Sequence, residues 1–190
     1  MPNINQFVSF LSGTPQFRIT ECSSAEAPVY TLYSQADLEN DLRRLMTPHS
    51  GKPIRTFDKV CVAFAGEVVF SLVSGMAAIV QAEHDGYLLT QNFVTLAPSS
   101  QIDARYLVYL LNENRQIKHQ FHRSRQGSST MKYTIKHLAA LELPPLPPLD
   151  RQKLIGELYH AQLRLDALRK RATDLETILV LEAIRKADES

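Results

Sequence analysis

Eight residues near the C-terminus, Leu154, Leu158, Ala161, Leu165, Leu168, Ala172, Leu175 and Leu179, follow one another at alternating steps of four and three. This is the a/d repeat of a coiled coil, a seam too narrow for a helix that simply lies on a broad globular core. Residues 149–190 contain no proline, and at 1.5 Å per residue a helix over 151–187 extends roughly 55 Å. Most of such a helix projects beyond the domain that precedes it. Burying a leucine gains on the order of 1.5 to 3 kcal/mol, so the seam is expected to pair with a second helix. Folding back onto its own domain, with Gly156 or the prolines as the turn, is the alternative. Upstream, Pro144, Pro145, Pro147 and Pro148 make a stiff, extended joint that excludes helix, and Asp150 is read as the helix N-cap. Glu182 occupies the next seam position, so the pairing ends near Leu179, and Ile178, Leu181 and Ile184 form an offset apolar patch.

A chain of 190 residues with 44% apolar content builds one core and an appendage, not two full domains. The expected division is a globular unit over 1–149 and a long helix over 150–190. No window approaches the roughly 18 apolar residues needed to span a bilayer, and "MPNINQFVSFLSG" has no basic start. The expectation is an unexported, cytoplasmic protein, in which Cys22 and Cys61 are reduced thiols.

The net charge of +1 hides a sharp division along the chain. Residues 1–114 carry seven basic and eleven acidic side chains, residues 115–137 six and none, and residues 138–190 eight and nine. One segment, "RQIKHQFHRSRQGSSTMKYTIKH", therefore holds the positive excess. Lysine and arginine neutralise backbone phosphates, while amides, hydroxyls and arginine forks reach phosphates or base edges. The candidate DNA contacts are Lys118, His122, Arg123, Arg125, Gln126, Ser128, Ser129, Lys132 and Tyr133, with Arg55 a further candidate from the N-terminal half. The other reading of the same residues is a solvated helix end and loop. His119 and His122 lie three apart on the presumed helix, but no third ligand is spaced to join them, so no metal site is expected.

The stretch "TFDKVCVAFAGEVVFSLVSGMAAIVQAEHDGYLLTQNFVTLAP" reads as short, largely buried strands punctuated by Gly66, Gly75, the turn at 84–86 and Pro98. Asp103 caps a helix whose stripe, Tyr106, Leu107, Leu110, Leu111 and Ile117, runs to about Phe121. Thr134 caps a short helix over "IKHLAAL", and the N-terminal third reads as hairpin-like strands with a short helix. The fold class is α+β: a small mixed domain followed by one long coiled-coil helix. No nucleotide-binding glycine fingerprint, nucleophile elbow or nuclease-spaced carboxylate cluster occurs. Neither an enzyme nor a cofactor is expected.

Together these features resemble one target-recognition half of a type I restriction-modification specificity subunit. The stretches that carry the resemblance are "SGTP" (12–15), "GEVVFSLVSGMAAIV" (66–80), "LTQNFVTLAP" (89–98), "ARYLVYLLN" (104–112) and "GSSTMKYTIKHLAALELPPLPPLDRQKLI" (127–155), followed by the long helix. The most specific is the last: a glycine-serine loop, a short helix, a leucine-proline run and a glutamine-bearing helix start, in that order. Family members usually carry two recognition domains and two such helices, and this chain has one of each. The resemblance implies a half-size specificity subunit that binds double-stranded DNA and directs an adenine methyltransferase and a restriction subunit. It also implies a homodimer through antiparallel C-terminal helices, so that two reading domains flank an unread gap. The competing function is a protein-interaction module whose seam serves another partner.

Overall fold

The structure is a computed structural model that describes residues 2–45, 51, 53–125 and 132–189. Its centre is a four-stranded antiparallel sheet in the order β1-β6-β4-β5, built from β1 (Val8–Ser12), β4 (Val68–Ser71), β5 (Ala77–Ile79) and β6 (Phe93–Pro98). β4 and β6 occupy the middle, and accordingly both read as nearly unbroken apolar runs, with Val68, Val69, Phe70, Val94 and Leu96 all buried. Three backbone turns need the left-handed conformation, and glycines 66, 75 and 86 supply it. A separate two-stranded sheet pairs β2 (Val29–Thr31) with β3 (Pro53–Arg55). The expected N-terminal strands are thus present, but the helix α1 (Gln35–Arg43) lies between them in the chain, so they form no tight hairpin.

α1 begins with a capping box, in which Ser34 and Asp37 satisfy each other's backbone N–H groups. Its inner face carries Asp37 and Asp41 into the interior, where His84 bridges them: Nδ1 lies 2.6 Å from Asp41 and Nε2 3.3 Å from Asp37. The Tyr33 hydroxyl donates to Asp41 at 2.7 Å. Burial pushes the Asp41 carboxyl up from its usual range, against the hydrogen bonds from Tyr33 and His84. This polar knot pins α1 to the turn between β5 and β6, and the sequence reading of 84–86 as simple punctuation missed it.

The helix expected from Asp103 to about Phe121 is two helices. α2 (Ala104–Glu113) is capped by Asp103, and α3 (Arg115–Arg125) follows a break at Asn114. Asn114 takes an extended backbone and its side chain accepts from the N–H groups of Gln116 and Ile117, restarting the helix at an angle. The apolar spacing survives the break because Ile117 and Phe121 still reach the core. α2 closes the sheet edge through the buried Asn112, whose amide exchanges two hydrogen bonds with the Ala77 backbone on β5, at 2.8 and 2.9 Å. α4 (Ile135–Ala139) is capped by Thr134 as expected.

α5 runs unbroken from Leu149 to Asp188. Its N-cap is Pro148 and not Asp150; the fixed φ of proline suits the entry, and the Asp150 carboxylate instead sits in the first turn, where the helix dipole favours it. Two faces of α5 are distinct. Gln152, Ile155, Gly156, Tyr159, His160 and Leu163 pack into the domain, whereas the seam leucines 154, 158, 165, 168, 175 and 179 are 42–70% exposed. Beyond Ala167 every described residue of the helix is exposed. The docked face is anchored by the buried Gln152. Its Oε1 accepts from the Asp103 N–H at 2.9 Å, and its Nε2 donates to the carbonyls of Pro147 and Gln101 at 2.9 and 3.2 Å. One turn on, a Cβ at Gly156 would stand 2.6 Å from the Arg105 Cβ and 2.8 Å from α2 backbone. Gly156 is therefore the close-contact point of two helices, not a turn.

His160 is 2% exposed, and its ring nitrogens are buried with only the Leu42 backbone near enough to offer a hydrogen bond, one too poorly aligned to satisfy either nitrogen fully. Burial, reinforced by the charges of Arg44 and Arg105, lowers its pKa to about 4, against weaker opposing effects of the Leu42 backbone and Asp103. A base held neutral in the fold and protonated in the unfolded chain stabilises fully above its ordinary pKa of 6.5, and that stabilisation is lost as pH falls from 6.5 towards 4. Urea unfolding at pH 7 and pH 5 is expected to show about 2 kcal/mol of this loss, and His160→Leu to remove it; equal pH dependence in both proteins would place the imidazole in water. On a free helix Gly156→Ala stabilises by about 1 kcal/mol. Here it is expected to destabilise by about 1 to 3 kcal/mol, read as a lower urea midpoint, and a raised midpoint would mean that α5 does not dock on α2.

Candidate nucleic-acid interface

Part of the basic segment, Lys118, His122, Lys132 and Tyr133, comes to one end of the central sheet. β1 finishes there at Ser12, β4 at Ser71, and β5 and β6 begin there, as the pairings Ser12 with Val94, Ser71 with Phe93 and Phe70 with Ala77 require. The loops at this end are tied together by their backbones. Gly13 and Thr14 donate to Phe93 and Leu89, Gln91 donates to Thr14, Leu72 donates to Asn92, and Tyr133 donates to Leu72, all at 2.8 to 3.0 Å. The rim is consequently held by the sheet's own hydrogen bonding and not by side chains alone, as a recognition surface requires.

Three of the sequence-predicted residues meet in one cleft of about 320 Å³, where Lys118, His122 and Tyr133 surround Gly75, Met76 and the end of α2. α3 places them by its period: Ile117 and Phe121 turn inward, and Lys118 and His122 lie beside them on the exposed flank. Tyr133 packs edge-on against Phe70 and Phe121. Its ring lies so close over the turn that a Cβ at position 75 would stand 2.4 Å away, and Gly75 itself has φ +73°. Both steric conditions require glycine there. Lys118 is not a free cation, since its Nζ lies 2.8 Å from Glu113.

The remaining predicted residues are dispersed. Arg123 is exposed on the opposite side of α3, along a second cleft with Gln120, Ser124 and His137. Lys132 reaches the rim, where its Nζ donates to Asn92 Oδ1 at 3.2 Å. Arg125 ends α3, but its side chain, together with Gln126, Ser128 and Ser129, falls outside the described residues. Residues of one charged segment thus reach at least three surfaces: a helix turns about 100° per residue, which separates Arg123 from Lys118 and His122 on α3, and Lys132 lies beyond the end of that helix. The rim also brings in Gln16, Gln35 and Asn92, which charge counting missed. "SGTP" and "LTQNF", polar loop residues at the ends of strands, were the available signals for Gln16 and Asn92, and no such signal marked Gln35, the first residue of α1. His119 and His122 gain no further ligand, and among the described residues no group of three His, Cys, Asp or Glu side chains is placed to hold a metal.

A family model for the type I restriction modification DNA specificity domain matches residues 22–177. The chain belongs to this family. The match runs from before β2 into the exposed seam of α5, so the specificity domain includes most of the long helix. Its fold is shared by the HsdS subunit from Thermoanaerobacter tengcongensis, 19% identical over 90% of this chain and 39% of that one, with a TM-score of 0.57. It is shared equally by a chain from a structure describing complex assembly and conformational transition of the type I R-M system, 18% identical over 93% and 41%, with a TM-score of 0.61. The chain spans about two fifths of the length of these solved chains. No curated protein sequence matches it. No helix of the specificity domain, among the described residues, is long and apolar enough to cross a membrane.

Proposed function

We propose that this chain is a non-catalytic target-recognition unit of a specificity subunit that reads double-stranded DNA for a type I restriction-modification system. In this reading residues 1–149 recognise DNA and residues 150–190 set the spacing. The observation that carries it is one chain holding both a tied polar rim and an exposed coiled-coil seam. Lys118, His122, Arg123, Arg125, Lys132 and Tyr133, with Gln126, Ser128 and Ser129, supply phosphate and base contacts. The seam of Leu154, Leu158, Ala161, Leu165, Leu168, Ala172, Leu175 and Leu179 pairs with a second copy. An antiparallel register that sets Leu154 against Leu179 and Leu165 against Leu168 matches every layer of this seam. A C2 dimer then holds two identical reading domains at a separation fixed by helix length, and its site is an inverted repeat with an unread gap. The rest of the system supplies the chemistry, an adenine methyltransferase and a nuclease, in the cytoplasm where its DNA is.

Mapping methylated adenines in the source genome with and without the gene tests the whole reading. Loss of one palindromic bipartite motif is expected; loss of an asymmetric motif would replace the second copy by a different half-subunit. An unchanged map would leave the seam as a protein-interaction surface and reject the specificity role. For the site itself, Arg123→Ala with Arg125→Ala is expected to weaken DNA binding about tenfold or more. The same pair lowers the slope of log affinity against log salt by up to about 2, one for each lost phosphate contact. Unchanged affinity and slope would remove these arginines from the interface.

A further inference from the structure

Resting on the DNA-reading role just proposed, we infer that another cleft on the rim, lined by none of the basic side chains, reads an adenine·thymine pair through amide side chains. This cleft has a volume of about 340 Å³, and Gln16, Gln35, Val73 and Asn92 line it around a floor of Tyr33 and Phe93. It opens on the other side of the 72–76 turn from the cleft of Lys118 and His122.

Four observations support the assignment. The first is chemical: asparagine and glutamine amides match the paired acceptor and donor that adenine shows in the major groove, and an apolar tip suits the thymine methyl. Val73, at the tip of the turn, is 48% exposed with no core to join. The second is orientation. Lys132 donates to Asn92 Oδ1, which leaves the Asn92 NH₂ as the donor presented to the cleft and sets a phosphate-binding cation beside a base reader. The third is an unmet need. Gln35 Oε1 is shielded from water and has no hydrogen-bond partner among the described residues, so swinging the side chain outward onto a base edge relieves it. The fourth is rigidity. Asn92 accepts from the Leu72 N–H, and Gln35 begins α1 directly after the Ser34 capping box. The backbones carrying both amides are therefore fixed before DNA arrives, and specificity depends on that.

The test is selection from a randomised duplex library by the full 190-residue chain, with sequencing of the bound DNA. The wild type is expected to select a motif in which at least one adenine·thymine position falls about tenfold or more in discrimination with Gln35→Ala or Asn92→Ala. Gln35→Glu is the sharper variant, because a carboxylate accepts but cannot donate: preference at the same position is expected to move from adenine towards cytosine, whose amino group donates. A merely structural glutamine predicts no such exchange of letters. If all three variants select the wild-type motif, the cleft does not read bases, although the DNA-reading role stands. If the wild type binds the library without selecting any motif, the DNA-reading role fails and this assignment fails with it.

Discussion

Gln152 makes three hydrogen bonds from a fully buried amide, and through them the proline segment, the cap of α2 and the first turn of α5 become one structure. A buried amide left unpaired costs about 1 to 3 kcal/mol for each lost partner, so this arrangement admits little variation in how α5 leaves the domain. Gly156 then lets α5 approach α2 to backbone contact, and Tyr159 continues the packing against Tyr109. Because α2 and α5 are met in the same chain order, from Asp103 and Gln152 to Tyr109 and Tyr159, the two helices run in the same direction. Since α2 ends at the cleft of Lys118 and His122, α5 projects past that end of the domain.

This docking explains how one helix serves two purposes. Residues three and four apart share a face, and the sets 152, 155, 156, 159, 163 and 154, 158, 161, 165 lie on opposite faces of the same helix. Once the first face is committed to its own core, the second can only point outward. Seam and reading rim are thus held in a fixed relation by packing. The proline run, read from sequence as the joint, contributes a carbonyl to the anchor and a rigid approach to it, while the angle is set by α2.

Much of the fold was legible in the sequence, and its failures have specific causes. Asp103 and Thr134 cap helices as read, because side-chain capping is local chemistry. The break at Asn114 was invisible, since the apolar stripe keeps its phase across it and Asn114 looks like any polar residue on a helix surface. Asp150 reads as the natural cap, but proline's fixed φ starts the helix two residues earlier, at Pro148. The positive segment was correctly seen as exceptional in charge, but charge counting along a chain cannot show that Lys118, Arg123 and Lys132 leave it in three directions. Nor can it show the rim amides Gln16, Gln35 and Asn92, which are uncharged and separated by 76 positions in the chain.

What the sequence determined by itself is what depends on neighbours along the chain: the long terminal helix, the caps at Asp103 and Thr134, the turn glycines and the spacing of a seam that wants a second helix. Tertiary structure alone decided which groups meet. His84 between Asp37 and Asp41, Gln152 against Gln101 and Asp103, and three loops tied at one end of a sheet all join residues dozens of positions apart. Their meeting depends on strand order and on which helix face is buried, and neither is written in any local stretch. The burial of His160, and with it the loss of its basicity, has the same origin, because desolvation is a property of the packed interior and not of the residue.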